Sequence, residues 1–549
     1  MSSSVSPLRL FSFLALSLLI LGATAALRGG LMIDGHEGDT LHLIEILLRI
    51  DAGEWPHKDF MTPIGILAFA PINLFMKLGN GIGAAFIHAN ILVAALLLPM
   101  LWWATWSRLR GGMAYLLGFY VIVLVMALVY GGASPTIAVS MHYNRWAWGI
   151  AHVAVLLAVL PPHNHARPVL DGVLIGLSLA ALALIKVTYF LALAPVLALA
   201  LALRKCWRGL LSGLIAGLAV AAFMTFLAGP GYWLAYMNDL LVVSQSQVRP
   251  EPGHAFTDIL SAPEFVAGTA LMLLAVVLLR QIGCKYEGLL LLLLLPGFAY
   301  ITYQNFGNDP QWLLLFAALL FAFRPASGTA NRWGWDAHSL FNLAIAAVLA
   351  LSSASFFNMA TSPFRLLAKE RGEYTPLLGR NSPHDDILMR KERVLPVVGR
   401  TTLEIPGLDL ALYGVEDSGS GNGKDETATL MGEVLQDCEL EGGLEIWLTA
   451  MTRDIEQAGL ARNKRILAAD LISSHWLFSR QLLPLRGGAP WYYGGLPGIE
   501  SADYLLVPQC PLLRRARRMI LEEIDKADQI TLRELRRTSY YILLEIRRE

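Results

Sequence analysis

Apolar residues fill the chain in long blocks up to about residue 356. From about Thr361 to Glu549 they thin into short runs among charged and turn-forming residues. A membrane-spanning helix needs ~20 apolar residues, fewer when it is packed among neighbours. Eleven blocks meet that condition: 9–28, 82–106, 113–131, 146–161, 169–185, 187–203, 209–228, 264–280, 287–303, 311–323 and 338–356. In the last third, 443–455, 464–472, 502–509 and 539–546 read as strands, and the charged stretch 514–527 as an exposed helix. The pattern predicts a polytopic α-helical membrane protein of about eleven spans, with a C-terminal extracytoplasmic α/β domain. The expected division is a transmembrane catalytic domain over 1–360, with an acidic outer loop at 29–80, and the α/β domain over 361–549.

Composition agrees with the membrane class, since 55% of residues are hydrophobic and only 16% charged. Net formal charge is zero, which gives no reason to expect a nucleic-acid partner. Orientation follows from where Lys and Arg collect. Arg108 with Arg110, Arg167, Arg204 with Lys205 and Arg208, Arg280 with Lys285, and Arg324 with Arg332 fall at alternate loops, which places those loops in the cytoplasm. Keeping that alternation requires the segment Met61–Gly79, which carries Pro63 and Pro71, not to cross but to lie as an interfacial or re-entrant helix on the outer side. Residues 1–28 have the makings of an uncleaved first span or a cleaved leader, and both readings put residue 33 outside. The expected location is therefore a bacterial plasma (inner) membrane, multi-pass. Cys206 and Cys284 fall at cytoplasmic helix ends, while Cys438 and Cys510 lie where a disulfide is permitted.

Candidate chemistry gathers at the outer boundaries. Directly after the first block, Asp34, Glu37 and Asp39 precede an amphipathic stretch, Thr40–Ile50, in which Leu43, Ile44, Leu47 and Leu48 alternate at helical spacing with His42, Glu45 and Arg49. Asp39 and Thr40 sit where a helix N-cap belongs. A carboxylate half shielded from water there suits a general base, and it equally suits a cap. Tyr143, Asn144 and Arg145 open another apolar block, and a planar guanidinium there can clamp a phosphate, snorkel to the interface or pair with an acid. Lys186 interrupts an otherwise apolar run and is followed by Thr188 and Tyr189; a lysine at membrane depth is a functional candidate by default, and a turn between two helices is the plain alternative. Asn308 and Asp309, in a Gly/Pro turn, suit hydroxyl groups. The segment 231–254, with Tyr232, Trp233, Asp239, Gln245 and Arg249, reads equally as a sugar or lipid-headgroup surface and as a plain amphipathic loop, and Trp491–Tyr493 between glycines can stack on a sugar or cover a hydrophobic edge. Asp470 and His475 lie close in sequence without metal-ligand spacing.

The acidic loop, the helix after it and the run Gly53, Glu54, Pro56, His57, Lys58, Asp59, Phe60, Pro63 and Gly65 resemble the membrane glycosyltransferases of the C superfamily, bacterial mannosyl- and arabinosyltransferases among them. The fragments around His142–Arg145 and Lys186–Phe190 resemble pieces of the same family. The resemblance implies an inverting transfer from a polyprenyl-phosphate sugar to a lipid, glycan or protein acceptor outside the cytoplasm. It also implies a first-loop aspartate as base, which by distance from Gly53 matches Asp39. Asp34 and Glu37 stay open, because the usual paired acids are here spread over "DGHEGD". Lys186, Arg145 and Tyr189 are then candidates for donor phosphate binding, and His57, Tyr143, Asn144, Asn308 and Asp309 for substrate binding. No metal site or other cofactor is indicated, and no Walker or dinucleotide motif is present. A transporter or flippase, and a polymerase or ligase of lipid-linked glycans, are the alternative classes. The former predicts internal repeats that the sequence does not show, and the latter a late polar loop where this one is early.

Overall fold

The computed structural model describes residues 5–163, 165–248, 256–304, 310–379, 382–400 and 428–548. It divides into two compact units that interleave in sequence. A helical unit comprises residues 1–31, 64–230 and 251–369, and a mixed unit comprises 32–63, 231–250 and 370–549. The sequence expectation had placed 32–63 and 231–250 within 1–360.

In the helical unit a helix occupies each of the eleven apolar segments: Pro7–Ala26, Ile82–Arg108, Gly111–Met126, His142–Val159, Pro168–Ile185, Val187–Leu203, Trp207–Ala228, Pro263–Gln281, Lys285–Gln304, Leu313–Phe323 and Ala337–Ala368. Seven of them are long and apolar enough to cross a membrane, and Gly111–Met126, Val187–Leu203 and Leu313–Phe323 are shorter apolar helices. His142–Val159 is enclosed by its neighbours, with every residue except Tyr143 buried. The segment Met61–Gly79 contributes only a short 3-10 turn and the helix Ala70–Lys77, whose eight residues span about 12 Å. That is well short of a bilayer's ~30 Å hydrocarbon core. Small residues set the closest crossing, because a Cβ on Gly172 or Gly176 would lie 2.1 or 2.0 Å from the backbone oxygen of Gly209 or Gly213.

One end of this unit is tied by cations. Arg108 pairs with Asp171 at 2.6 Å and donates to the Leu160 carbonyl at 2.9 Å. Arg204 donates to the carbonyls of Ala158 and Leu160, both at 2.9 Å. These carbonyls are the ones the C-terminus of His142–Val159 leaves without intrahelical partners, and the negative end of its dipole favours cations.

The mixed unit is built on a four-stranded sheet in the order Ile530–Arg537, Tyr541–Arg548, Tyr504–Pro508, Ile466–Ala468. The first two pairings are antiparallel and the last is parallel. The helix Arg514–Asp525 turns Ile520, Leu521 and Ile524 onto Leu505, Val507, Ile542 and Leu544. Three sequence expectations are corrected here. Residues 443–455 form not a strand but the helix Leu444–Gln457, because Leu444, Trp447, Leu448, Met451 and Ile455 recur at helical spacing and bury one face. Residues 231–244 form not a loop but the helix Gly231–Ser244. The strand Ile530–Arg537 had no counterpart, since its charged sequence reads as solvated and only pairing at the sheet edge makes it a strand. Cys438 and Cys510 are joined in a disulfide, with Cα atoms 4.9 Å apart.

Residues 32–63 belong to this unit through ionic contacts. The first-loop helix runs Glu37–Asp51, three residues earlier than expected; its N-cap is His36, in a left-handed conformation, and Asp39 sits inside the first turn. The face expected to be polar is not solvated. Glu45 and Arg49 have 0% and 1% exposed side chains, paired at 2.9 Å, and Ser474 donates to Glu45 at 2.6 Å. Arg49 also meets Glu54 at 3.0 Å and lies over the rings of Phe60 and Trp476. Removing one member of such a network leaves an unmatched buried charge, typically a loss of about 3–5 kcal/mol. Arg49→Met should lower the thermal unfolding temperature of the purified protein by a margin of that order, with Arg49→Met/Glu45→Gln recovering part of it. A single variant within about 1 kcal/mol of the parent would show that the network does not hold this helix in place.

Candidate functional site

In the helical unit the polar residues gather where His142–Val159 begins, the end opposite Arg108 and Arg204. The chain breaks its apolar run at Lys186, an extended residue that closes Pro168–Ile185 and opens Val187–Leu203. Lys186 Nζ donates to Asn144 Oδ1 at 3.3 Å and lies 5.6 Å from the centre of the Tyr143 ring. The Tyr189 hydroxyl donates to the Asn144 carbonyl at 3.3 Å. Gly65 seats its backbone against this turn: its N–H donates to the Ile185 carbonyl at 3.0 Å, where any Cβ would collide with Leu184 O. The structure thus brings together Tyr143, Asn144, Lys186 and Tyr189 from four of the sequence candidates.

Arg145 is the exceptional member. It is 1% exposed and donates from NH1 to the carbonyls of Val129 at 2.6 Å and Ser140 at 3.4 Å, while its Nε and NH2 have no partner. No acid lies in the first turn of its helix, and among the described residues none forms an ion pair with it. A helix N-terminus carries a partial positive charge of its own. A buried guanidinium there adds to that positive charge, with two of its nitrogens unused.

The mixed unit accounts for the first-loop acids. Asp34 accepts from Tyr374 at 2.7 Å and from Arg390 at 2.9 Å. Glu37 is held in a two-point pair by Arg393. Hydrogen bonds to Asp34 and Glu37 hold both guanidinium groups above the usual arginine range. Using either carboxylate as a base would break a charge-assisted pair. Asp39 is about one-third exposed (32%), with Oδ2 4.0 Å from His36 Nδ1. Arg390 and Arg393 went unnoticed in the sequence because "MRKERV" reads as an ordinary charged turn. His57 lies in this unit too, with a fully buried ring bonded at Nδ1 to Asp239 at 2.9 Å. Asn308 and Asp309 lie outside the described residues. Among the described residues no group of three His, Cys, Asp or Glu side chains is arranged to hold a metal ion.

No family model matches the chain, and no curated protein matches it. Among solved structures it is similar to the arabinofuranosyltransferase AftD from mycobacteria, with 10% identity and a TM-score of 0.35. The similarity covers 99% of this chain and 40% of that one. A TM-score of that size does not establish a common fold.

Asp470 and His475 prove to be separate structural groups. Asp470 accepts from the backbone N–H groups of Leu471, Leu512 and Leu513, fixing the approach to the Arg514–Asp525 helix. Burial pushes its carboxyl up to about 7, against the pull of those donors and of Arg517. Burial likewise lowers His475 to about 4, with Glu45 opposing. Of the Trp491–Tyr493 stretch, Tyr492 joins the hydrophobic core. A carboxyl whose folded pKa is raised binds a proton that the unfolded chain has already released. Its contribution to stability is therefore full below about pH 4 and disappears as pH rises through about 7. Asp470→Asn removes that dependence: the unfolding temperature of the parent minus that of the variant should fall steadily from pH 5 to pH 8. A difference independent of pH would mean that Asp470 is ionised throughout.

Proposed function

We propose that the chain is a membrane glycosyltransferase of the cell envelope, moving a sugar from a polyprenyl-phosphate donor to an extracytoplasmic lipid, glycan or protein acceptor with inversion. The observation that carries this reading is Arg145, a buried cation at a helix N-terminus with two donors unused and no acidic partner among the described residues. An anion presented from within a membrane bundle is most simply a lipid phosphate. In the proposed reaction the acceptor oxygen attacks the sugar's anomeric carbon as the bond from that carbon to the phosphate oxygen breaks. The bonding pair stays on the phosphate, where Arg145 and Lys186 neutralise it, with Tyr143, Asn144 and Tyr189 orienting the group. The acceptor's proton goes to a first-loop carboxylate. Asp39 is assigned that role because Asp34 and Glu37 already hold arginines. The disulfide of the mixed unit and the alternation of basic loops support an extracytoplasmic mixed unit in a bacterial plasma membrane.

Membranes containing the protein should transfer label from a polyprenyl-phosphate sugar. Loss of a general base typically reduces rate by ~10²–10⁴-fold, so Asp39→Asn should abolish measurable transfer, while Asp34→Asn and Glu37→Gln reduce it less. Lys186→Met should remove donor turnover, with Lys186→Arg retaining part. Full transfer in Asp39→Asn, together with collapse in Asp34→Asn or Glu37→Gln, would move the base; full transfer in all three would remove the first loop from the chemistry, and a parent that transfers no sugar would point to a lipid-phosphate flippase or transporter instead. For orientation, a cysteine at Ser134 should react with an impermeant thiol reagent in intact spheroplasts and one at Ala166 should not. The reverse result would invert the topology.

A further inference from the structure

His57 is the one residue of the mixed unit on which three anomalies meet. Its backbone is left-handed (φ 71°), which a non-glycine residue rarely adopts unless its surroundings enforce it. Its ring is closed off from solvent, stacked on Tyr236 with centroids 4.1 Å apart and met edge-on by Tyr232 at 5.4 Å. Its Nε2 has no partner, although a buried core histidine ordinarily has both nitrogens satisfied. Asp239 organises all of this from the helix Gly231–Ser244. One of its carboxylate oxygens takes the His57 Nδ1 at 2.9 Å and also accepts from the Thr62 N–H at 3.1 Å, fixing the ring and the backbone that follows it. The His57 N–H donates to the Phe60 carbonyl at 2.9 Å, which closes the turn.

The chemistry follows from the pairing. With the Nδ1 proton committed to a carboxylate, a neutral imidazole carries its lone pair on Nε2. A lone pair beside an aspartate repels anions and invites a neutral donor. A metal would need further ligands, and among the described residues no suitable group of three exists. Tyr232 and Tyr236 are buried against His57, while the half-buried Trp55, which meets Tyr232 edge-on at 6.4 Å, offers an aromatic surface of the kind that packs against sugar C–H groups. We propose that His57 and Asp239 form a hydroxyl-binding dyad in which His57 Nε2 accepts a hydrogen bond from a hydroxyl group of a sugar-type ligand. The ligand reaches Nε2 when the turn 56–62 opens. Identifying that ligand as the acceptor of sugar transfer rests on the glycosyltransferase reading; the dyad itself does not.

The test uses the full chain in lipid nanodiscs, with a panel of octyl glycosides as probes and tryptophan fluorescence as the readout. His57→Phe keeps an aromatic ring on Tyr236 and removes the lone pair, whereas His57→Gln keeps an acceptor. At least one glycoside should bind the parent saturably and bind His57→Phe tenfold or more weakly, with His57→Gln between them and unfolding temperatures unchanged. Asp239→Asn, which preserves volume but not the tautomer, should also weaken binding and carries the comparison where His57→Phe fails to fold. Equal affinity in parent and variants, or no glycoside binding at all, overturns the proposal and leaves Nε2 to a trapped water. Binding through His57 in a chain that transfers no sugar overturns the glycosyltransferase reading alone. Sugar transfer with an unaltered acceptor KM in folded His57→Phe overturns the dyad alone.

Discussion

Inside an apolar helix bundle a charge has neither water nor counter-ion to balance it, so it must find its match in the protein or in what the protein binds. The helix His142–Val159 shows both situations at its two ends. At its C-terminus Arg108 is matched by Asp171, and Arg204 by carbonyls that the helix leaves open. At its N-terminus, where the helix dipole disfavours a cation, Arg145 is buried against two carbonyls with Nε and NH2 unused. The first end is balanced internally. The second keeps two guanidinium nitrogens without a partner, and close by in the same unit Lys186 and Tyr189 both bond Asn144, the residue before Arg145.

The mixed unit treats its charges differently. Its acids are largely assigned to structure: Asp34 to Arg390 and Tyr374, Glu37 to Arg393, Glu45 to Arg49 and Ser474, Asp454 to Arg536. These pairs link the first-loop residues 32–63 to 370–549, and Asp239, bonded to His57 and to the Thr62 N–H, ties in the third stretch of the unit, 231–250. Asp39 stays partly exposed beside His36, and His57 pairs with Asp239.

Much of this was legible in the sequence where the signal is local. Apolar length located eleven of the helices of the helical unit, because a hydrocarbon core sets element length directly. The special status of Arg145 and Lys186 was readable because a cation in an apolar run is costly wherever it falls. Long-range matching was not readable. No periodicity tells that Arg393 answers Glu37 or that Asp239 answers His57 across 182 residues. The helix Leu444–Gln457 was mistaken for a strand because Ile446, Trp447 and Leu448 form a short apolar run that fits either period until burial is known. The helix Gly231–Ser244 was missed because its buried face is made of Tyr232, Tyr236 and Asp239, while Leu234, Met237 and Leu241 stay exposed. That inverts the usual amphipathic pattern.

The central claim is that Arg145 waits for a lipid phosphate, and equilibrium binding of undecaprenyl phosphate to the purified chain, with undecaprenol as the uncharged control, tests it most directly. The account predicts saturable binding of the phosphate and not of the alcohol. It further predicts that Arg145→Met lowers phosphate affinity at least tenfold while the ligand-free protein unfolds at the same temperature or higher, because an unmatched buried charge has been removed. Equal binding of phosphate and alcohol, or undiminished phosphate binding in Arg145→Met, would contradict it.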